Sequence, residues 1–269
     1  MIYRYVLCER KFYTMRQKVR KTLIFISFLL FPVTMWYFSP YLIIQGMSEH
    51  ILNGSFFVFV SMLVLSVFFG RIWCGWLCPA GGLQECAAAT NDKPAKGGWR
   101  NGIKYGIWTV WIAAVVATYI MAKGDVKADF FYMTNHGISI ADISNYIIYY
   151  GVLFILVLPS MIHGRRAACH YICWMAPFMQ IGSAIGRLLR IPQPHIESDK
   201  EKCVSCGKCN TVCPMGLDVR EMVSSGKNAR CAECVQCGAC VDACPKDVLR
   251  VQLTWKKKEK KEKKEKVDG

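Results

Sequence analysis

The chain has 269 residues, 53% of them hydrophobic and 13% aromatic, with a mean hydropathy of +0.23. So much apolar surface must be buried, which excludes a mostly disordered chain. The net charge is +15, from 34 Lys+Arg against 19 Asp+Glu; basic and hydrophobic together point to a membrane protein with charged flanks and away from a nucleic-acid binder.

Residues 1–21 carry seven Lys/Arg and one acid, Glu9, interleaved with Tyr3, Tyr5, Phe12 and Tyr13. That mixture suits a basic cytoplasmic or interfacial segment. No small-residue cleavage site follows the next apolar run, so a retained anchor is expected rather than a cleaved signal peptide. Four apolar stretches come next. Residues 22–38 read TLIFISFLLFPVTMWYF and 56–69 read FFVFVSMLVLSVFF; 103–122 hold one charge, Lys104, and 146–162 hold none. With a flanking residue or two, each approaches the roughly 20 residues of a spanning helix. Buried helices of a soluble core are the alternative, but four such stretches leave too few polar faces to cover them. Residues 22–190 are therefore expected to form an α-helical membrane domain of four transmembrane helices. A fifth apolar stretch, 171–189, is interrupted by Pro177, Gly182 and Gly186. An interfacial or re-entrant helix is expected there.

The flanks set an orientation. Residues 39–55 carry no Lys or Arg, whereas 71–104 carry Arg71, Lys93, Lys96, Arg100 and Lys104. Residues 123–145 carry Lys123 and Lys127 against three aspartates, and Arg165, Arg166, Arg187 and Arg190 follow the fourth stretch. Basic loops alternate with poor ones, so both termini are expected on the cytoplasmic side of a bacterial or archaeal cytoplasmic membrane.

Two cysteine pairs end the second and fourth stretches. The first is Cys74-x3-Cys78, after Gly70-Arg71; the second is Cys169-x3-Cys173, after Gly164-Arg165-Arg166. The offset of 95 residues from Cys74 to Cys169 marks an internal repeat of two spans each. A pseudo-twofold axis along the membrane normal would bring the pairs together. Residues i and i+4 share a helix face, so two pairs would offer four sulfurs to a further cluster or another soft-metal site. Redox-active dithiols and ordinary buried thiols are the other readings.

Nine of the 15 cysteines lie between Cys203 and Cys244. Cys203-x2-Cys206-x2-Cys209-x3-Cys213-Pro214 is a bacterial ferredoxin run, and Cys234-x2-Cys237-x2-Cys240-x3-Cys244-Pro245 repeats it. Three thiolates on a tight loop wrap one cluster, and the fourth reaches the other. One [4Fe–4S] cluster is thus expected on Cys203, Cys206, Cys209 and Cys244, and a second on Cys234, Cys237, Cys240 and Cys213. A register starting at Cys231 would need a cysteine where Val241 stands, so Cys231 is read as spare or structural. Zinc knuckles and a disulfide framework are the alternatives, and two complete four-cysteine runs argue against both. Such thiols belong in a reducing compartment. Residues 191–255 are expected to form a cytoplasmic, ferredoxin-like α+β domain, followed by a Lys/Glu-rich tail over 256–269 that is read as a solvated end.

The order WCGWLCP, CHYICWMAPFM and two CxxCxxCxxxCP runs, over about residues 56–245, resembles the membrane-bound polyferredoxin family. That family includes the H-type membrane ferredoxin of periplasmic nitrate reduction and the nitrous-oxide-reductase regulator. The shorter H-type architecture is the closer match, because no long flavin domain interrupts the outer loops. The resemblance implies four spans, cytoplasmic clusters and a place in anaerobic respiration. It also implies electron transfer between a quinone pool or cytoplasmic donor and a partner redox protein.

No histidine sits mid-span, which argues against haem. His170 is expected to be an interfacial side chain, and Cys8 and Cys86 structural. No nicotinamide or flavin motif occurs, so redox partners are expected at both ends, with quinol oxidation as the one enzymatic role open to the chain. A rival reading is a maturation factor that handles copper or iron through the CxxxC thiols of Cys74, Cys78, Cys169 and Cys173.

Overall fold

Backbone in a bilayer must satisfy its own N–H and C=O groups, so the apolar runs call for helices. The computed structural model, which describes residues 14–122, 125–225 and 231–253, contains them. Helix α1 (Met15–Leu29) is followed by α2 (Phe31–Thr34) and a 3-10 turn, Met35–Phe38. The two parts are bent by 58°. Pro32 lacks an N–H and its ring crowds the preceding turn, which breaks the helix at Leu30. The stretch over 22–38, expected to span, is thus bent in the middle.

Next come α3 (Pro40–Ser48), β1 (Ile51–Asn53) and α4 (Gly54–Phe69). Asn53 caps α4, its Oδ1 accepting the Phe56 N–H at 3.0 Å. With 16 residues α4 is short for a span. Two short helices follow: α5 (Ile72–Trp76) and α6 (Pro79–Ala87). Helices α7 (Ile103–Met121) and α8 (Ile143–His163) are the long apolar ones. With its leading turn, α7 belongs to a 24-residue helical segment from Gly98 to Met121, and α8 has 21 residues; both are long and apolar enough to cross a membrane. Their outer faces carry Val110, Ile120, Ile143, Ile147 and Phe154, each more than 60% exposed. Water would penalise that surface and lipid would not.

The four stretches run up and down. At one end β1 pairs in parallel with β2 (Lys127–Asp129), from Ile51↔Lys127 to Asn53↔Asp129, which ties the two cation-poor loops together. At the other end lie the cation-rich segments and the cysteine-rich tail. The tail opens with β3 (His195–Ser198) and closes with β4 (Leu249–Gln252), antiparallel to it. Between them lie α11 (Lys208–Thr211), α12 (Val219–Ser224) and α13 (Ala239–Asp242). Ile196, Met215, Val219, Val223, Val235, Val248 and Leu249 form the core there, with Cys213 and Cys237.

The internal repeat extends to the backbone. Helix α9 (Ala167–Tyr171) lies 95 residues after α5, and α10 (Met175–Leu188) follows it as α6 follows α5. The N–H of Gly70 bonds to the Ser66 carbonyl, and that of Gly164 to the Ser160 carbonyl. Both glycines have positive φ, +60° and +100°, which turns the chain sharply out of the long helix. The packing is exchanged between repeats: α4 lies against α10, and α8 against α6. The 171–189 stretch is therefore a helix packed on the partner repeat's long helix.

Candidate metal centre

The two tail runs fold into loops of matching backbone turns, 31 residues apart. Ser205 and Gln236 have φ of 52° and 54°, and Gly207 and Gly238 have φ of 75° and 74°. These left-handed residues curl each loop so that its thiols face inward, and α11 and α13 begin directly after the glycines. One cavity is lined by Cys203, Cys206, Cys209 and Cys244. A second is lined by Cys213, Cys234, Cys237 and Cys240. The spacing argument grouped the eight cysteines in the same two sets. Burial pushes Cys213 up to about 11 and Cys234 up to about 12. Such thiols keep their protons at neutral pH unless a metal displaces them.

Cys74, Cys78, Cys169 and Cys173 come together from the two repeats. Each of Cys74, Cys169 and Cys173 acts electrostatically on Cys78, and Cys173 is pushed up to about 12 by burial and by Cys169 and Cys74. The pairs do not lie on single helices as the i, i+4 spacing suggested. Cys74 is in α5, but Cys78 is the extended residue before α6, because Pro79 disfavours helical geometry in the residue preceding it. Cys169 is in α9, and Cys173 falls in the break before α10. Helix, turn and helix aim the two thiols of each pair inward.

The four thiols have two sides. Cys169, with Cys74 packed beside it, joins the tail core that holds Cys213 and Cys237. A side chain on Gly75 would place its Cβ 2.3 Å from the Val235 carbonyl, so the first pair's turn lies directly on the Cys234–Cys237 loop. On the other side, Cys78 and Cys173 line a cavity of about 300 Å3 with Trp36, Phe38, Trp73, Trp174 and Val152. Its walls are apolar and aromatic, and the indole Nε1 of Trp73 is buried without a hydrogen-bond partner among the described residues.

Charged groups buried here carry no short-range sequence signal. Arg71 donates to Glu233 at 3.3 Å, and Lys104 to the same carboxylate at 2.5 Å. Lys104, which reads as a flanking cation, is fully buried. Arg166 and Arg20 both pair with Glu85, at 2.5 and 2.8 Å. Burial alone would raise both carboxyls, but their cations hold them below the usual range. Arg71 and Arg166 occupy matched places, each three residues before the first cysteine of its pair. The thiols acting on Arg71 are Cys74, Cys173 and Cys169; those acting on Arg166 are Cys169, Cys78 and Cys237. The Nε of each arginine is buried without a hydrogen-bond partner among the described residues.

His170 corrects an expectation. It is buried, with Nε2 2.9 Å from the Met215 carbonyl and Nδ1 3.1 Å from Asn101, so it joins helix α9 to the tail rather than facing the interface. Gln84 likewise supports Cys169: its Nε2 donates to Sγ at 3.2 Å, and its Oε1 accepts the Cys169 N–H at 3.2 Å. Cys231 accepts the Glu233 N–H at 3.4 Å, Cys86 is exposed, and Cys8 and the 256–269 tail lie outside the described residues. No three His, Cys, Asp or Glu side chains among the described residues are placed to hold a single metal ion. Sets of thiols lining cavities suit iron–sulfur clusters in donor chemistry.

Both halves of this arrangement match 4Fe–4S binding models. The model described as a 4Fe-4S binding domain matches twice, over residues 54–99 and 145–192, once for each repeat. The 4Fe-4S dicluster domain model matches residues 195–245. Among similar proteins, an uncharacterized protein of Methanocaldococcus jannaschii is 25% identical over 230 residues, covering 81% of this chain and 80% of its own. A second uncharacterized protein of that organism is 27% identical over 233 residues, covering 81% and 89%. YccM of Escherichia coli, provisionally named an electron transport protein, is 24% identical over 201 residues, covering 68% of this chain and 52% of its own. No solved structure matches the chain.

Proposed function

We propose that the chain is a membrane-bound iron–sulfur electron-transfer protein. In this reading Cys203, Cys206, Cys209 and Cys244 hold one [4Fe–4S] cluster, and Cys213, Cys234, Cys237 and Cys240 hold a second. Cys74, Cys78, Cys169 and Cys173 hold a third redox centre at the membrane face. The observation that carries the reading is the order of the sites. The outer tail cavity adjoins the inner one, the inner one shares a core with Cys169 and Cys74, and Cys78 and Cys173 open onto the apolar cavity. The clusters supply one-electron redox chemistry, and the chain supplies ligands, burial and order. The match to two 4Fe–4S models and the provisional name of YccM support it.

An apolar, aromatic cavity whose Trp73 N–H has no acceptor among the described residues suits a quinone headgroup and the start of its tail. The membrane end of the relay is therefore a quinone pool, and the tail end, where Cys206 and Val204 are exposed, meets a soluble redox partner. The four helical stretches span the membrane with both termini on the cytoplasmic side.

Iron and acid-labile sulfide on anaerobically purified protein test the reading, with low-temperature EPR. The comparison is the variant carrying Cys74→Ser, Cys78→Ser, Cys169→Ser and Cys173→Ser. The expectation is about twelve irons falling to about eight, at four per cluster. About eight in both confines the clusters to the tail. Zinc in place of iron overturns the reading.

A further inference from the structure

We infer that Arg71 and Arg166 are paired counter-charges and hydrogen-bond donors for a dianionic iron–sulfur unit held by Cys74, Cys78, Cys169 and Cys173. The inference rests on the proposed third centre and names what sets its charge and potential.

Three observations converge. The two arginines stand at matched places of the repeat, three residues ahead of Cys74 and Cys169, and both are buried, at 3% and 1% exposure. Each belongs to a triad of two cations and one carboxylate. Arg71 and Lys104 share Glu233, and Arg166 and Arg20 share Glu85. Each triad therefore keeps one positive charge in excess, two in all, in a region where unbalanced charge is costly. Each arginine also has a buried Nε–H with no acceptor among the described residues. Buried donors are nearly always satisfied, so two such donors at symmetric places mark where an acceptor belongs.

Four neutral thiols carry no charge to balance this excess, and one Cu(I) on two thiolates carries a single negative charge. A cubane with four thiolate ligands in its oxidised state is a dianion, and its sulfurs accept N–H bonds. Such hydrogen bonds and nearby cations raise the potential, because reduction adds one electron and no proton, and the extra negative charge is better tolerated beside them. Arg71 and Arg166 are positioning residues in this sense. They bind no substrate and set the charge environment of the site.

The test is an EPR-monitored redox titration of the full-length protein with dithionite as reductant, alongside iron and sulfide analysis. Arg71→Gln and Arg166→Gln are each expected to move the midpoint of the membrane-face signal to lower potential. The tail signals should stay where they are in the parent. Arg71→Lys keeps the charge without the Nε–H and should fall in between. Selective loss of about four irons, with both tail signals kept, also supports the inference. Lys104→Gln leaves the guanidinium in place and cancels one excess charge; it should lower the same midpoint, and it decides the matter if Arg71→Gln does not fold. An unshifted membrane-face signal in Arg71→Gln, Arg166→Gln and Lys104→Gln overturns the arginine assignment and leaves the third centre standing. Absence of that signal and of its iron in the parent overturns both.

Discussion

Trp73 shows how one atom can be informative. Its ring is one wall of the apolar cavity beside Cys78 and Cys173, 6.1 Å from the ring of Phe38. Its Nε1 is buried and unpaired among the described residues, which costs about 1–3 kcal/mol when nothing accepts from it. A quinone carbonyl would accept it. Trp73→Phe keeps a flat aromatic wall and removes the N–H. Quinol-driven reduction of the clusters should slow by about tenfold, the equivalent of roughly 1.4 kcal/mol, a hydrogen bond's worth. Reduction by dithionite should be unchanged. Stopped-flow absorbance with the two reductants separates these outcomes, and equal slowing with both would remove Trp73 from the quinone site.

At the scale of elements, the exchange of helices between repeats is the feature that holds the four-cysteine site together. Helix α10 packs on α4 so closely that a Cβ on Gly182 would meet the Ser66 Oγ at 1.8 Å and the Leu63 carbonyl at 2.6 Å. A serine can rotate away, but a backbone carbonyl cannot. Gly182→Val should cost about 1–3 kcal/mol of stability, read as a lower thermal midpoint of the detergent-solubilised protein. Gly106→Ala on the outer side of α7, with no atom within 4 Å of the added methyl, should leave the midpoint unchanged or raise it slightly. Much of this level was legible in the residues. Apolar length placed the helical stretches, and the 95-residue offset placed the repeat. The cysteine spacing grouped the tail thiols as the two cavities group them. The bend at Leu30 and the helix break within each CxxxC were not read, although Pro32 signals the bend and Pro79 the break in the first pair. The buried triads could not be read. Lys104 and Arg71 find Glu233 across 129 and 162 residues, and nothing local distinguishes a cation destined for burial from one at a membrane surface.

The whole molecule has a cation-rich end and a cation-poor end. Arg16, Gln17 and Arg20 of α1, Arg71, Lys104 and Arg165 all bond at the tail end, whereas β1 and β2 close the opposite end. Such a distribution of cations orients a membrane protein with its basic end in the cytoplasm. Alkaline phosphatase fused to the C-terminus should therefore be inactive in cells, and green fluorescent protein at the same place fluorescent. The phosphatase placed in the 123–145 loop should be active. The reverse pattern would invert the proposed topology.

The contact of Gly75 with the Val235 carbonyl also bears on how the protein is made. Chain leaves the ribosome with both membrane repeats ahead of the tail, so the turn that receives the tail is in place before the tail exists. Once docked, the tail presses its Cys234–Cys237 loop on that turn, and Cys213 and Cys237 are shut away from solvent. If the tail holds clusters as proposed, iron and sulfide reach the inner thiols most directly before this closure, which favours the order of helix insertion, tail loading and then docking.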